Sequence, residues 1–147
     1  MIGASDGGLD FYRQVLDLRA YRQQILTADI ANASTPGFKA VDLDFREALQ
    51  AAAESAPQAS GPVWLVDDPQ HLNLPTGGVA GAAAQAVKYQ TGAPMTLDGN
   101  SVDLNQEKAT AGENAVQYEA AASFASQMIK MLTVAINGSG PQGSSGT

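Results

Sequence analysis

The sequence contains no cysteine, which excludes a disulfide, a zinc–thiolate site and a thiol nucleophile. It has no run of about 18 apolar residues, so we expect no transmembrane helix. Aromatic residues make up 6 % of the chain and charged residues 16 %, and much of the apolar content is alanine, which buries little area per residue. The 147 residues have room for one modest domain, which we expect to need partners to complete its core.

Basic residues are few. Eight lysines and arginines stand against fifteen acidic residues, and the net charge is -7. Because the basic residues are scattered rather than clustered, the sequence disfavours nucleic acid and anionic membrane surfaces as partners. Residues 1–8 lack the basic and apolar regions of a cleavable secretion signal. If the protein leaves the cytoplasm, we therefore expect another route to carry it.

Metal-binding patterns are weak. The only histidine, His71, follows Asp67 and Asp68, but two or three ligands in a proline-bounded loop make a poor metal site. Residues 98–103 resemble the start of a calcium loop, although one ligand position carries valine and the glutamate of the twelfth position is missing. A turn followed by a helix N-cap explains these residues better, so we expect no metal.

Patterns of catalytic residues are equally weak. Asp42 and Asp44 project from one face of a predicted extended segment, as a catalytic pair could, but no third partner is evident and a solvated face is the better interpretation. There is no glycine-rich phosphate loop and no serine nucleophile with a base in a plausible context. The sequence therefore predicts that the protein is not an enzyme, with no cofactor and no small-molecule substrate.

An amphipathic pattern from about Leu9 to Ala33 predicts a long first helix, with Ser5 or Asp6 as its N-cap. Such a pattern is typical of a helix in a bundle. The N-terminal helix stripe consists of Phe11, Leu18, Tyr21, Ile25 and Ala28.

A turn motif follows this helix. Pro36 cannot donate to a helix ladder, and Gly37 after it predicts a type II turn, in which glycine supplies the positive φ. The alternation after the turn predicts a half-buried extended segment, and residues 45–53 have good helix propensity. The motif turn consists of Asn32, Thr35, Pro36, Gly37 and Phe38.

The middle of the chain has little periodicity. Residues 54–94 are rich in alanine, glycine and proline, with one short strand candidate at 63–66, and we expect them to be loop-rich and only partly ordered. Asp98 and Gly99 then predict a turn, and Asp103 is a good N-cap for a last helix.

The last helix carries the strongest periodic signal, over about 33 residues or about 50 Å. Apolar stripes on two sides of it indicate packing within an assembly. The assembly seam consists of Leu104, Ala111, Ala115, Tyr118, Ala122, Ala125, Ile129, Leu132 and Ile136. The second stripe consists of Phe124, Met128 and Met131.

These patterns together predict a mainly α protein. Its long N- and C-terminal helices pair in a coiled-coil-like α domain, with a short extended segment and a loop-rich, partly ordered middle. The predicted divisions are residues 1–37 for the N-terminal helix and turn, 38–53 for the extended segment and short helix, 54–97 for the middle, 98–137 for the C-terminal helix and 138–147 for a flexible tail.

Residues 28–39, Ala-Asp-Ile-Ala-Asn-Ala-Ser-Thr-Pro-Gly-Phe-Lys, closely resemble the N-terminal signature of the flagellar axial proteins, the rod, hook and junction subunits. The motif ends a first helix with Asn-Ile-Ala-Asn and continues to Thr-Pro-Gly-Phe or Thr-Pro-Gly-Tyr. One position departs from it, because Asp29 stands where asparagine is usual. Residues 16–23, 41–45 and 98–103 and the short middle region resemble a proximal rod subunit, since hook and distal rod relatives carry large inserted β domains there.

The resemblance implies a non-enzymatic building block of the bacterial flagellar rod, exported by the flagellar type III apparatus without a cleaved signal and assembled in the periplasm. The terminal helices would form a helical tube, part of the drive shaft that transmits torque. The implied partners are other rod subunits, the adaptor protein at the rod base and the membrane ring, with self-association in the rod. The alternatives are another flagellar axial subunit, or a coiled-coil adaptor or secreted translocation protein with the same two-helix plan.

Overall fold

The computed structural model describes residues 3–54, 78–91 and 95–138. These residues form helices α1 (Gly3–Ala31), α2 (Phe45–Glu54), α3 (Gly78–Gln85) and α4 (Leu104–Gly138), together with strands β1 (Val41–Leu43) and β2 (Val87–Tyr89). The predicted fold class is confirmed, because the protein is mainly helical and its long terminal helices pack against each other. None of the helices in this part of the chain is long and apolar enough to span a membrane.

Helices α1 and α4 run antiparallel over most of their length. Tyr12 stacks on Phe124 with ring centroids 6.1 Å apart, and Asn114 contacts Arg19 further along the same pair. α1 begins at Gly3, so the prediction that Ser5 or Asp6 caps a helix starting near Leu9 is wrong. Gly8, in the first turns of α1, has a packing role. A Cβ at Gly8 would approach Met128 Cε of α4 to 2.8 Å, so glycine permits the close approach.

A small apolar core lies where α1 meets the short elements. Leu18 of α1, Leu43 of β1, Ala48 of α2 and Ala83 of α3 are all nearly inaccessible to solvent. Tyr21 and Ile25 of α1 pack on this cluster from one side. The predicted extended segment and short helix after the motif turn are present as β1 and α2. The core is thus built largely from small side chains, as the alanine-rich composition indicates.

The expectation of a loop-rich middle is wrong for residues 78–89. α3 forms there because its small side chains, Ala82 and Ala83 among them, fit closely against the core. β2 forms because its backbone pairs antiparallel with β1, Val41 opposite Tyr89 and Leu43 opposite Val87. Both are tertiary effects, which override the weak local pattern.

Several predictions fall on residues that the structure does not describe. These are the strand candidate at 63–66, the possible metal ligands Asp67, Asp68 and His71, and the tail beyond Gly138.

The charged side chains of β1 are paired, in contrast to the solvated face predicted for them. The Arg22 guanidinium donates from Nε and Nη2 to the two carboxylate oxygens of Asp42, at 2.8 and 2.6 Å, and so ties α1 to β1. Lys88 of β2 pairs with Asp44 at 3.0 Å and also with Glu47 of α2. The lysine pairs are exposed and contribute little to stability, whereas the partly buried bidentate pair fixes the strand on the helix.

Candidate functional site

The motif turn at the end of α1 has the predicted conformation. Gly37 has φ 74°, and the Phe38 N–H donates to the Thr35 carbonyl at 3.3 Å, as in a type II turn. Asn32 ends the helix, because its side-chain Nδ2 donates to the Ala28 carbonyl at 2.8 Å while its Oδ1 accepts from the Thr35 hydroxyl. These contacts turn the chain away from the helix axis.

Asn100, in the loop before α4, fastens this turn. Its Nδ2 donates to the carbonyl oxygens of Asn32, Ala33 and Thr35, at 3.0, 3.1 and 2.8 Å. Its Oδ1 accepts from the Val102 N–H at 2.7 Å. Asn100 is 2 % exposed, and its amide satisfies carbonyls that the C-terminal end of α1 leaves without a partner inside the helix.

Backbone hydrogen bonds strengthen the contact between the motif turn and the loop before α4. The Gly37 N–H donates to the Asp98 carbonyl and the Ser101 N–H donates to the Phe38 carbonyl, each at 3.0 Å. The Ser101 hydroxyl oxygen accepts from the Ala40 N–H at 2.9 Å. Residues 98–101 therefore clasp residues 32–40, and we call these two segments together the joint. The joint brings together two motifs that the sequence shows only as separate features.

The predicted start of α4 is also confirmed. Asp103 Oδ1 accepts from the N–H groups of Asn105 and Gln106, at 3.0 and 3.1 Å, as an N-cap does. Gly99 has φ 81°, which agrees with the predicted turn at Asp98 and Gly99. α4 therefore begins directly at the joint.

The α4 face that packs on α1 is not the predicted seam. Glu107, Asn114 and Ala121 are the buried residues of α4, and they are spaced seven apart. Asn114 Nδ2 donates to the Arg19 carbonyl at 3.0 Å and to the Gln23 side-chain oxygen at 2.9 Å. The sequence analysis missed this face because two of its members are polar. Their heptad spacing, continued by Met128, was the available signal.

Most of the predicted seam is accessible to solvent in the single chain. Tyr118 is 41 % exposed and Ile129 is 50 % exposed. The remaining exposed members are Leu104, Ala115 and Ile136, and the half-buried members are Ala111, Ala122, Ala125 and Leu132. The seam therefore lies mainly beside the contact with α1, where a neighbouring molecule could reach it.

The other two stripes are divided between core and surface. In the second stripe, Phe124 and Met131 are exposed and Met128 is half-buried against α1. In the N-terminal helix stripe, Leu18 is buried, Tyr21 and Ile25 are half-buried, and Phe11 and Ala28 are exposed.

A groove of about 680 Å³ runs between the two long helices. Ala28 and Ala31 of α1 line one wall, and Ala115 and Tyr118 of α4 line the other. The groove thus brings together members of the N-terminal helix stripe and the assembly seam. The groove is shallow because small side chains form much of its walls, and the surface that it exposes is mainly apolar. It therefore suits a packed side chain or helix better than a polar ligand.

Two buried carboxyl groups lie between the long helices. Asp29 of α1 and Glu107 of α4 are each 1 % exposed. Asp29 Oδ2 accepts from the Val41 N–H at 3.0 Å, and Glu107 Oε1 accepts from Gln90 Nε2 at 2.7 Å. Burial raises the pKa of Asp29 to about 6, and burial also raises the pKa of Glu107. No group of three or more histidine, aspartate or glutamate side chains among the described residues could hold a metal ion.

Antiparallel terminal helices, a joint that fastens their connection and apolar faces open to neighbours define a structural subunit of the axial type. No family model matches the chain. The chain is 35 % identical over 140 residues to the flagellar basal body rod protein FlgB of Escherichia coli strain K12, which covers 94 % of this chain and 99 % of that protein. The chain belongs to the FlgB family of flagellar basal body rod proteins and is a structural subunit of the rod.

Two further relatives show the same extent of similarity. FlgB of Salmonella typhimurium strain LT2 is 32 % identical over 138 residues, covering 94 % of this chain and 99 % of that protein. FlgB of Yersinia ruckeri is 34 % identical over 135 residues, covering 91 % of this chain and 97 % of that protein. The similarity therefore spans both long helices and the joint between them.

Proposed function

We propose that this chain is a non-enzymatic building block that joins the rod through the assembly seam of α4. The observation that carries this proposal is the exposure of large apolar side chains along that helix, Tyr118, Ile129 and Met131 among them. Large apolar side chains stabilise a contact by about 1.5–3 kcal/mol each when they become fully buried. A soluble single chain gains nothing from displaying them, whereas a packed assembly does.

The groove between the long helices shares Ala115 and Tyr118 with the seam, and we propose that it receives the other end of a neighbour's seam, which includes Ile129 and Leu132. Its alanine walls allow the close approach of a helix from a neighbouring rod subunit, and Tyr118 at its edge supplies a larger contact. A contact between one face of a subunit and a different face of the next is heterologous, and when such contacts do not close they generate a helical tube. We propose that the rod tube grows in this way and forms part of the drive shaft that transmits torque.

The joint gives this arrangement its geometry. The α domain consists of residues 1–37 and 98–137 in this proposal, and the motif turn directs residues 38–53 out of it. Because Asn100 holds the turn against the start of α4, the short elements take a fixed place on α1, where they build the core. Each subunit would then present β1 and α2 to its neighbours at the same angle, as a regular tube requires.

Membership of the family supports a proposal about the partners and the export route. We propose that the neighbours are other rod subunits, the adaptor protein at the rod base and the membrane ring, and that the flagellar type III apparatus exports the chain without a cleaved signal. The small, alanine-rich core is compatible with this route, because it opens at lower cost than a core of large side chains.

The test is imaging of intact basal bodies from the source bacterium. Deletion of the gene should abolish the rod and swimming, and the full-length chain supplied in trans should restore both, with its density in the rod next to the membrane ring. A closed, discrete oligomer of the purified chain, together with rods that form normally without it, would instead identify a coiled-coil adaptor. Density in the distal rod or hook would identify a different axial subunit.

A further inference from the structure

The buried carboxyl groups of Asp29 and Glu107 are unusual in a contact between two helices. Each has one oxygen with a partner and one oxygen, Asp29 Oδ1 and Glu107 Oε2, that is buried without a hydrogen-bond partner among the described residues. A buried carboxylate oxygen without a donor costs considerable free energy. The seam and the joint do not use either oxygen, so these two groups call for a separate explanation.

The surroundings add negative charge and little compensation. Asp42 of β1 faces both carboxyl groups, and Asp103 at the start of α4 acts on Glu107. Arg22 of α1 is a cation that acts on Glu107, but its guanidinium is already paired with both carboxylate oxygens of Asp42. With every group ionised, negative charges outnumber positive ones at a place that solvent barely reaches. A proton is the smallest ligand that relieves this imbalance.

We propose that Asp29 and Glu107 form a proton-dependent latch, in which a proton bound by the Asp29 carboxyl holds α1 against α4 and loss of that proton loosens the pair. The Val41 N–H occupies Oδ2, so the proton belongs on Oδ1. A protonated Oδ1 is a neutral hydroxyl, which costs less to bury than a carboxylate oxygen without a donor. The uptake of one proton thus removes one of the buried negative charges that repel each other between α1 and α4.

The direction of the pH effect follows from the raised pKa. The folded-state pKa of Asp29 is about 6, above the ordinary value of 3.8, so the folded chain holds the proton more tightly than the unfolded chain does. The contribution to stability is complete below the ordinary pKa and is lost as the pH rises through about 6. This consequence rests on the proposed export route: the contact between α1 and α4 would be less stable at neutral pH and more stable in an acidic compartment.

The test measures unfolding of the full-length purified chain in urea between pH 5 and pH 7.5. As the pH rises from 5 to 7.5, Asp29 alone should lower the folding equilibrium constant of the wild type about tenfold. With a pKa of about 6, the folded chain holds this proton at pH 5 and has lost it at pH 7.5. Asp29→Asn keeps an oxygen for the Val41 N–H but cannot ionise, so it should remove most of this fall. Asp10→Asn, an exposed change on the same helix, should leave it intact.

A second variant guards against an indirect effect of the first. Glu107→Gln keeps an acceptor and removes the neighbouring charge, so it should lower the apparent pKa of the transition and leave a smaller fall. The proposal is overturned if the wild type shows no fall, or if Asp29→Asn falls as steeply as the wild type. A fall that sodium or calcium reverses at pH 7.5 would also overturn it, because the ligand would then be a cation other than the proton. None of these readouts depends on rod assembly.

Discussion

Asn100 Nδ2 donates a hydrogen bond to the Thr35 carbonyl at 2.8 Å, across 65 residues of sequence. The same amide also serves the carbonyls of Asn32 and Ala33. One side chain therefore completes the C-terminal end of α1 and fixes the loop that begins α4. This contact makes the end of the first long helix and the start of the last one a single structural unit.

Asn100→Ala should destabilise the folded chain by about 3 kcal/mol, because it removes several partly buried hydrogen bonds of one side chain. The free energy of unfolding in urea, followed by circular dichroism, measures this loss. Asn105→Ala is the matched control, since Asn105 is exposed and only its backbone N–H takes part in the N-cap. Equal stability of the two variants would show that the Asn100 amide contributes nothing to the joint.

Gly37→Val should destabilise the chain by about 1–2 kcal/mol through backbone strain. A Cβ at Gly37 would meet no atom within 4 Å, so steric overlap does not contribute, and the φ of 74° carries the whole effect. Gly37→Asn should cost clearly less, because asparagine tolerates the left-handed region. Urea unfolding of the two variants side by side checks this order, and an equal cost for both would contradict it.

Gly112→Ala should stabilise the chain by roughly 0.5–1 kcal/mol. Gly112 lies inside α4, nothing stands within 4 Å of a Cβ there, and alanine has the higher helix propensity. A smaller gain is expected at Gly8, where a Cβ would come within 2.8 Å of Met128 Cε and the flexible methionine side chain would have to move aside. Thermal unfolding followed at 222 nm compares the two changes, and an equal or larger gain for Gly8→Ala would contradict the observed packing.

Asp42→Asn should lower stability by about 1–2 kcal/mol, because it leaves the partly buried Arg22 guanidinium without its bidentate partner. Asp44→Asn loses an exposed pair with Lys88 but keeps an oxygen for the Glu47 N–H at the start of α2, so it should cost less than about 1 kcal/mol. Urea titrations at low and high salt measure both. A larger loss for Asp44 than for Asp42 would mean that burial does not decide the strength of these pairs.

The sequence predicted those features that local chemistry determines. Pro36 and Gly37 fixed the turn because proline and glycine restrict or release φ by themselves, and Asp103 fixed the start of α4 through a contact only two or three residues long. The heptad pattern of α4 predicted a long helix for the same reason. Each of these signals acts within a few residues of its effect.

The features that the sequence analysis missed depend on distant partners. The partners of Asn100 lie more than 60 residues away, and α3 owes its place to a core that other elements build. Glu107 and Asn114 have the heptad spacing of a buried helix face, but their side chains are polar. A search for periodic apolar residues therefore does not find them. Asp29 was visible as a departure from the family motif, but its burial was not.

The most direct test of the assembly surface is swimming by strains whose only copy of this protein carries Ile129→Asp or Gln127→Asp. Both changes add one negative charge at neighbouring exposed positions of α4, but Ile129 belongs to the assembly seam and Gln127 does not. Because both positions are exposed, the circular dichroism of each purified variant should match the wild type. We expect Ile129→Asp to abolish rods and swimming, because an unpaired charge would be buried in the contact, and Gln127→Asp to swim normally. Normal rods and swimming with Ile129→Asp would contradict assembly through this face.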